Sequence, residues 1–257
     1  MLPISYAKII LTRAGAFSGY FGVTTMIQTV FERKEVKYIL TKAQRDAMLD
    51  AMKGLMQEDQ YGLTTICNIY FDTDNSRLVR ESIEKPVYKE KLRMRTYGVP
   101  TDGSLAFIEL KKKFQGIVYK RRETLPYLEA YAFLTERKRP SKWSQIMAEI
   151  DYTLDFYQGI APAMALFYDR TAYFGCEDPE LRMTLDTNIR YRTHDFDLRS
   201  GAEGKVLMGP DSYILEIKIS DAMPLWMSRI LDKLKIYPAS YSKYGSAYTK
   251  NLIEGVI

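Results

Sequence analysis

Histidine is almost missing from this sequence: His194 is the only one in 257 residues. A site built from several imidazoles is thereby excluded. Any metal would have to be held by carboxylates, which selects hard cations such as Mg²⁺ or Mn²⁺. Cysteine is nearly as scarce. Cys67 and Cys176 are the only two, and they show no metal-ligand spacing. The expectation is two buried free thiols in a reducing compartment, which points to the cytoplasm. Long apolar runs are lacking as well. The early stretch YFGVTTMI is short and broken by threonines, and no run in the chain has the length of a membrane span. Acids are missing from the N-terminus, where Glu32 is the first. Residues 1–30 are therefore read as a dispensable extension, with Met26 as an alternative start, and residues 31–257 as the domain.

What is present is a folded chain. It is 46% hydrophobic and 13% aromatic, with 20 tyrosines, enough to build a core rich in strands. The net charge of +5 is only mildly basic, so charge balance alone does not identify a partner.

The informative signal is period-two alternation. In FERKEVKYIL (31–40), Arg33, Glu35 and Lys37 share one face. In YKEKLRMRTYG (88–98), Lys89, Lys91, Arg93 and Arg95 do. In the stretch 104–126, Phe107, Glu109, Lys111 and Lys113 lie opposite Ala106, Ile108 and Leu110. MALFYDRTAYFG (164–175) aligns Leu166, Tyr168 and Arg170. LRMTLDTNIRYR (181–192) aligns Arg182, Thr184 and Asp186. SYILEIKIS places Ile214, Glu216, Lys218 and Ser220 opposite Tyr213, Leu215, Ile217 and Ile219. LTTICNIYFDT (63–73) adds an apolar strand. Helices are predicted after Thr41, which stands at capping-box spacing from Gln44, and at SRLVRESIEK. Others are predicted at about 123–137, 142–157 (with a break and cap at Pro140 and Ser141) and 223–235. The sum is an α+β pattern dominated by antiparallel strands.

One such charged strand face is ordinarily solvated. Five or six of them, each backed by an apolar face that helices can cover, suggest a sheet closed into a barrel with a charged lumen. Two like charges about 4 Å apart cost roughly 4 kcal/mol at an effective dielectric near 20, so rows of Lys and Arg call for a counter-ion. A linear polyphosphate fits: Arg grips it bidentately and Lys acts as a point charge. The acids Glu35, Glu109, Asp186 and Glu216 then read as ligands for a divalent ion bridging to phosphate oxygens. Nucleic acid fits less well, because its binders add exposed aromatic platforms and do not interleave carboxylates along the same faces. For Glu35 and Glu109 a second role stays open, as ion-pair partners that orient lysines. Lys112 points away from the row, Tyr168 is read as packing, and His194 as a loop residue without a role.

The ordered set ERKEVKY, KLRMRTYG, FIELKKK, FYDRTAYFG, LRMTLD, LEIKIS and YSKYGSA, spanning about residues 31–250, resembles the polyphosphate polymerase domain of the vacuolar transporter chaperone family. That domain falls within the triphosphate tunnel metalloenzymes, the CYTH superfamily. The resemblance implies an eight-stranded antiparallel tunnel with helices outside. It also implies transfer of the ATP γ-phosphate to a growing polyphosphate chain, with Mn²⁺ or Mg²⁺. Carried over residue by residue, it assigns phosphate contact and catalysis to Lys37, Arg93, Arg95, Lys111, Arg170, Arg182, Lys218 and Lys243. Further substrate contacts fall on Arg33, Lys91, Lys113 and Ser242, and the principal metal carboxylate is Glu216. The superfamily's first motif is Glu-x-Glu-x-Lys; Arg33 replaces its first acid, as in the polymerase-like branch, which removes one ligand and adds a phosphate donor. Two alternatives stand beside polymerisation: hydrolysis of triphosphates, and binding of polyphosphate or nucleotide without turnover. No protein partner is legible in the sequence.

Overall fold

A computed structural model describes residues 34–255, apart from Gly116 and Asp221. The N-terminal extension, Met26 and Arg33 lie outside the described residues. Strand β1 (Lys34–Thr41) runs into helix α1 (Lys42–Ala51) through the expected capping box. The Thr41 hydroxyl accepts the Gln44 N–H at 3.2 Å, and the Gln44 carboxamide oxygen accepts the Thr41 N–H at 3.0 Å. Then follow β2 (Met56–Glu58), β3 (Thr64–Asp72), α2 (Arg77–Glu84), β4 (Tyr88–Tyr97), β5 (Leu105–Phe114) and β6 (Ile117–Pro126). After them come α3 (Tyr127–Glu136), α4 (Gln145–Tyr157), β7 (Ala161–Gly175), β8 (Arg182–Arg192), β9 (Lys205–Met208) and β10 (Ser212–Ile219). Helices α5 (Leu225–Lys233) and α6 (Lys243–Ile253) end the described chain.

Eight strands form one continuous antiparallel path, β1-β10-β8-β7-β3-β4-β5-β6, with β2 attached to β7 and β9 to β8. The α+β class and strand number match expectation, but the ladder is not closed by backbone pairing as a barrel would be. Among the described residues β1 and β6 share no ladder. The free side of β1 is taken by the segment before α6: Tyr38 bridges Pro238, and the Ala239 N–H donates to the Lys37 carbonyl at 2.7 Å. The free side of β6 carries Lys120, Arg121 and Arg122, charges that keep an edge from pairing.

The apolar strand faces point outward under helices. Leu92, Met94, Ile108, Leu110 and Phe167 pack beneath Phe133 of α3 and Ile150 of α4. Met183, Leu215 and Ile217 pack beneath Met48 of α1 and Met227 of α5. Each such fully buried side chain contributes about 1.5–3 kcal/mol, which is why the charged faces are turned the other way. One helix departs from the expected outside position. Tyr244, Ala247 and Tyr248 of α6 pack on Ile66, Leu166 and Ile214, residues that share strand faces with the charged rows. Helix α6 thus fills part of the inner side. Among the described residues no helix is long and apolar enough to cross a membrane.

Three local readings change. Residues 123–126 belong to β6 rather than to the helix predicted at about 123–137. The cap of α4 is Ser144, whose hydroxyl accepts the Met147 N–H; Ser141 instead binds Glu129. Of the two free cysteines only Cys67 is buried, its thiol pushed up to about 11 by burial, while Cys176 is exposed.

Candidate functional site: a charged lumen

Cross-strand register strings the charged residues into continuous rows. Lys37 on β1 faces Glu216 on β10, which faces Thr184 on β8. Arg170 on β7 faces Asp186 on β8. Arg93 on β4 faces Glu109 on β5, which faces Arg122 on β6. Lys91, Lys111 and Lys120 form a parallel row one step along. The rows approach one another across the lumen: burial is the main cause that lowers Lys91 and Lys218, and the charge of Lys37 adds to it at Lys91 and that of Lys111 at Lys218.

One group is centred on two buried acids. Arg170 donates to both oxygens of Asp186, at 2.5 and 2.7 Å. Lys243, the first residue of α6, reaches Asp186 at 2.5 Å and Glu216 at 3.4 Å. Glu216 also meets Lys37 at 3.1 Å and Arg170 at 3.7 Å, and Lys37 meets Glu35 at 3.4 Å. Burial opposes ionisation of both inner acids, yet Lys243, Arg170 and, for Glu216, Lys37 hold them below the usual carboxylate range. Burial likewise opposes the Lys243 ammonium, and the two carboxylates overcome it and raise its pKa.

A second group surrounds Glu109, which is 1% exposed. Arg93 donates to it at 2.6 Å through Nε, Lys120 lies at 2.7 Å, and Arg122 completes the set. This is the ion-pair geometry that the sequence left open for Glu109. Beyond it the basic groups outnumber acids. Burial first, then Lys89, Lys111 and Lys37, bring Lys91 down to about 8. Burial, with Arg122 and Arg93, brings Lys120 down to about 8 against the pull of Glu109. Burial would raise the Tyr70 phenol, but Arg93, Lys91 and Arg95 outweigh it and bring it to about 8.

The remaining expected residues divide. Lys91 donates to the Ser242 hydroxyl at 3.1 Å, so the late serine does reach the lumen. Arg95 is buried, with its guanidinium engaged by the Asn68 carboxamide oxygen and the Tyr168 hydroxyl, both at 2.9 Å. Tyr168 is therefore more than packing. Arg182, Lys111 and Lys113 are exposed, Arg182 in register with Lys218. Lys112 turns outward to Glu90 at 3.5 Å, and His194 is an exposed loop residue. The sequence reading missed Lys120, Arg122, Asn68 and Tyr70. The first two alternate correctly with Val118 and Thr124, but the run VYKRRE hides the alternation because Arg121 and Glu123 are charged too.

Among the described residues no three His, Cys, Asp or Glu side chains converge as a metal cage. The acids of the first group are each shared with lysine or arginine. That set fits an ion that brings most of its own shell as phosphate oxygens and water and takes one or two carboxylates from protein, a normal arrangement for Mg²⁺.

A model of the VTC domain family matches residues 32–251. Vacuolar transporter chaperone complex subunit 4 of Schizosaccharomyces pombe is 26% identical over 189 residues, which is 65% of this chain and 25% of that relative. The chain thus spans about a quarter of that relative's length. Two solved structures share the fold, each with a TM-score of 0.52. One is a putative adenylate cyclase from Bacillus halodurans, 15% identical, covering 82% of this chain and 95% of that one. The other is a putative adenylyl cyclase from Hippeastrum described as having a dominant triphosphatase activity, 16% identical, covering 84% and 95%.

Proposed function

The chain belongs to the VTC domain family, and from that premise we propose that its lumen binds ATP and inorganic polyphosphate or triphosphate and transfers the ATP γ-phosphate to the chain end. The observation that carries this reading is the register row of Lys91, Lys111 and Lys120 on β4, β5 and β6, with Glu109 as the acid one step along. Burial and like charges bring Lys91 and Lys120 down to about 8. Burial and mutual repulsion make these ammoniums uncomfortable, and a multiply charged phosphate chain relieves all of them at once.

Phosphoryl transfer leaves little covalent work to the protein. Lys91, Arg93, Lys111 and Lys120 hold the equatorial oxygens of the bound phosphates. Lys37, Arg170 and Lys243 are fixed by Asp186 and Glu216, so their positive ends are preset where the leaving diphosphate gains charge. No general base is needed, since the acceptor's terminal oxygen is already anionic. Glu216, with Glu35 beside it, would share a Mn²⁺ or Mg²⁺ that arrives with the phosphates. Held there, such an ion would supply positive charge to offset the charge developing on the phosphates.

The test is incubation of the purified chain with ATP and Mn²⁺. Lengthening polyphosphate with matching ADP is the expected product. Free phosphate without chains would place the chain among triphosphate hydrolases, and no turnover with retained binding would make it a polyphosphate-binding module.

A further inference from the structure

Helix α6 carries Ser242 and Lys243 to the lumen, and one buried carboxylate at the end of β3 holds it. Asp72 ends β3 and is 1% exposed. Its Oδ1 accepts the N–H groups of Thr73 at 2.9 Å and Leu78 at 2.8 Å. Its Oδ2 accepts the Val79 N–H at 3.0 Å and the Tyr244 hydroxyl at 2.9 Å. Leu78 and Val79 lie in the first turn of α2, whose own cap residue Ser76 has a left-handed backbone (φ 57) and makes no side-chain cap bond. Asp72 therefore does the capping for α2 and at the same time ties that helix to α6. Among the described residues it forms no salt bridge, and the Thr73 hydroxyl, donating to Oδ1 at 3.5 Å, completes its partners.

Tyr244 passes the constraint on in two directions. It follows Lys243, whose ammonium sits between Asp186 and Glu216. Its ring stacks on Tyr70, with centroids 4.5 Å apart and planes 16° from parallel. The Tyr70 hydroxyl in turn accepts from Arg93 at 3.2 Å. One anchor thus reaches both the acidic group on β8 and β10 and the arginine on β4.

We propose that Asp72 is a positioning residue: by holding the Tyr244 hydroxyl it fixes Lys243 and Ser242 and the ring that steadies Arg93, so the phosphate-binding groups stand ready before ligand arrives. Preset groups bind more tightly because less side-chain and helix ordering is left to the binding step. The inference rests on the anion-binding reading of the lumen.

Tyr244→Phe is the sharpest probe. It removes one oxygen, keeps the stack on Tyr70 and leaves the Asp72 cap on α2. Tripolyphosphate affinity would be measured by calorimetry in chelator, at a temperature where parent and variant are both fully folded. Amide exchange across residues 243–253 would be followed without ligand. The expected result is about a fivefold to tenfold loss of affinity, the worth of one buried hydrogen bond, with faster exchange in α6 and none in α5. Asp72→Asn sets an NH2 against either the Val79 N–H or the Thr73 and Leu78 N–H groups, so it also weakens the α2 cap and should lose at least as much affinity as Tyr244→Phe, with faster exchange in α2 as well. A purely structural tether would lower the melting temperature yet leave the affinity of the folded protein alone. Parent-like affinity in Tyr244→Phe, or parent-like exchange in α6, overturns the proposal. A parent chain that fails to bind tripolyphosphate overturns the anion-binding reading instead.

Discussion

The two walls of the lumen treat charge in opposite ways. On β1, β7, β8, β10 and α6, bases and acids are interleaved: Lys37, Arg170 and Lys243 are shared among Glu35, Asp186 and Glu216. On β4, β5 and β6, Lys91, Arg93, Lys111, Lys120 and Arg122 face the single acid Glu109. The compensated wall keeps its geometry without ligand, because its buried acids and Lys37, Arg170 and Lys243 already have partners; Lys218 on β10 is the cation there that burial still lowers. The uncompensated wall sets its lysines in unfavourable surroundings: burial first, and neighbouring cations second, bring Lys91 and Lys120 down to about 8. Precision belongs to the first wall and affinity for polyanions to the second, and the walls should respond differently to mutation, pH and charge deletion.

The largest effect is expected at Glu216. Glu216→Gln keeps the shape, removes one negative charge and most affinity for a divalent ion. Turnover with ATP and Mn²⁺ should fall about a hundredfold or more, while tripolyphosphate affinity in chelator stays level or rises because a repelling carboxylate has gone. Near-parent turnover with an unaltered Mn²⁺ requirement would reduce Glu216 to a partner for Lys37 and Lys243.

Next comes the arginine pair on the opposite wall. Arg93→Ala and Arg95→Ala should each weaken tripolyphosphate binding, by about tenfold to a hundredfold for a charge-assisted contact. Arg95→Ala should lower the melting temperature more, since it leaves the carboxamide oxygen of the fully buried Asn68 without its donor, whereas Glu109 keeps Lys120 and Arg122 when Arg93 is removed. Calorimetric titration and thermal unfolding separate the two effects; affinity within about twofold of the parent for both variants would sink the assignment at β4.

Strand faces were legible in the sequence because alternation is local: Glu216 and Lys218, or Arg93 and Arg95, point together whatever the sheet does. Sheet order and closure were not legible, since β1 finds β10 and the Pro238 segment only through long-range packing. Lys120 and Arg122 were lost where β6 carries charge on both faces, and α6 where Gly, Ser and Tyr in YSKYGSAY gave no clean helical period. That glycine has a packing reason. A Cβ on Gly245 would stand 3.2 Å from the Ser242 oxygen and 3.4 Å from Ile83 of α2. The candidate metal carboxylates were read from residue type and strand face, with Glu216 singled out by the family resemblance; neither shows that an acid such as Glu109 is already ringed by Arg93, Lys120 and Arg122.

A subtler effect is pH dependence, which belongs to the uncompensated wall. Lys91 and Lys120 titrate near 8 in the free protein. Bound phosphate favours their charged forms and so raises both values, which makes binding take up protons. Affinity should therefore hold at pH 7.5 and decline as pH climbs through 8 and beyond, by up to about tenfold per unit for each lysine. Tyr70, brought to about 8 beside Arg93, turns anionic over the same range and pushes the same way. Titrations between pH 7.5 and 9.5 in two buffers of different ionisation enthalpy would show the uptake. Lys91→Arg, which stays charged, should flatten the decline; an undiminished slope in that variant would remove Lys91 from the contact.

The smallest effect tests the register itself, using two adjacent lysines that differ only in the face they occupy. Lys111 lies in the inner row between Lys91 and Lys120, whereas Lys112 points outward, half-buried, to Glu90 at 3.5 Å. Burial already holds the Glu90 carboxyl above its ordinary value, so losing Lys112 takes away a modest partner on the outer surface and nothing from the lumen. Lys111→Ala should weaken tripolyphosphate by about threefold to tenfold, less than Arg93→Ala because the side chain is exposed and its charge is screened. Lys112→Ala should leave affinity within about twofold and cost about 1 kcal/mol of stability or less. Salt should discriminate too: the gap between the two variants should narrow as ionic strength rises and the Debye length shrinks from about 10 Å at 0.1 M toward about 3 Å at 1 M. Equal losses at both positions would mean that affinity comes from general surface charge rather than from a row inside the lumen, and the distinction between the walls would go with it.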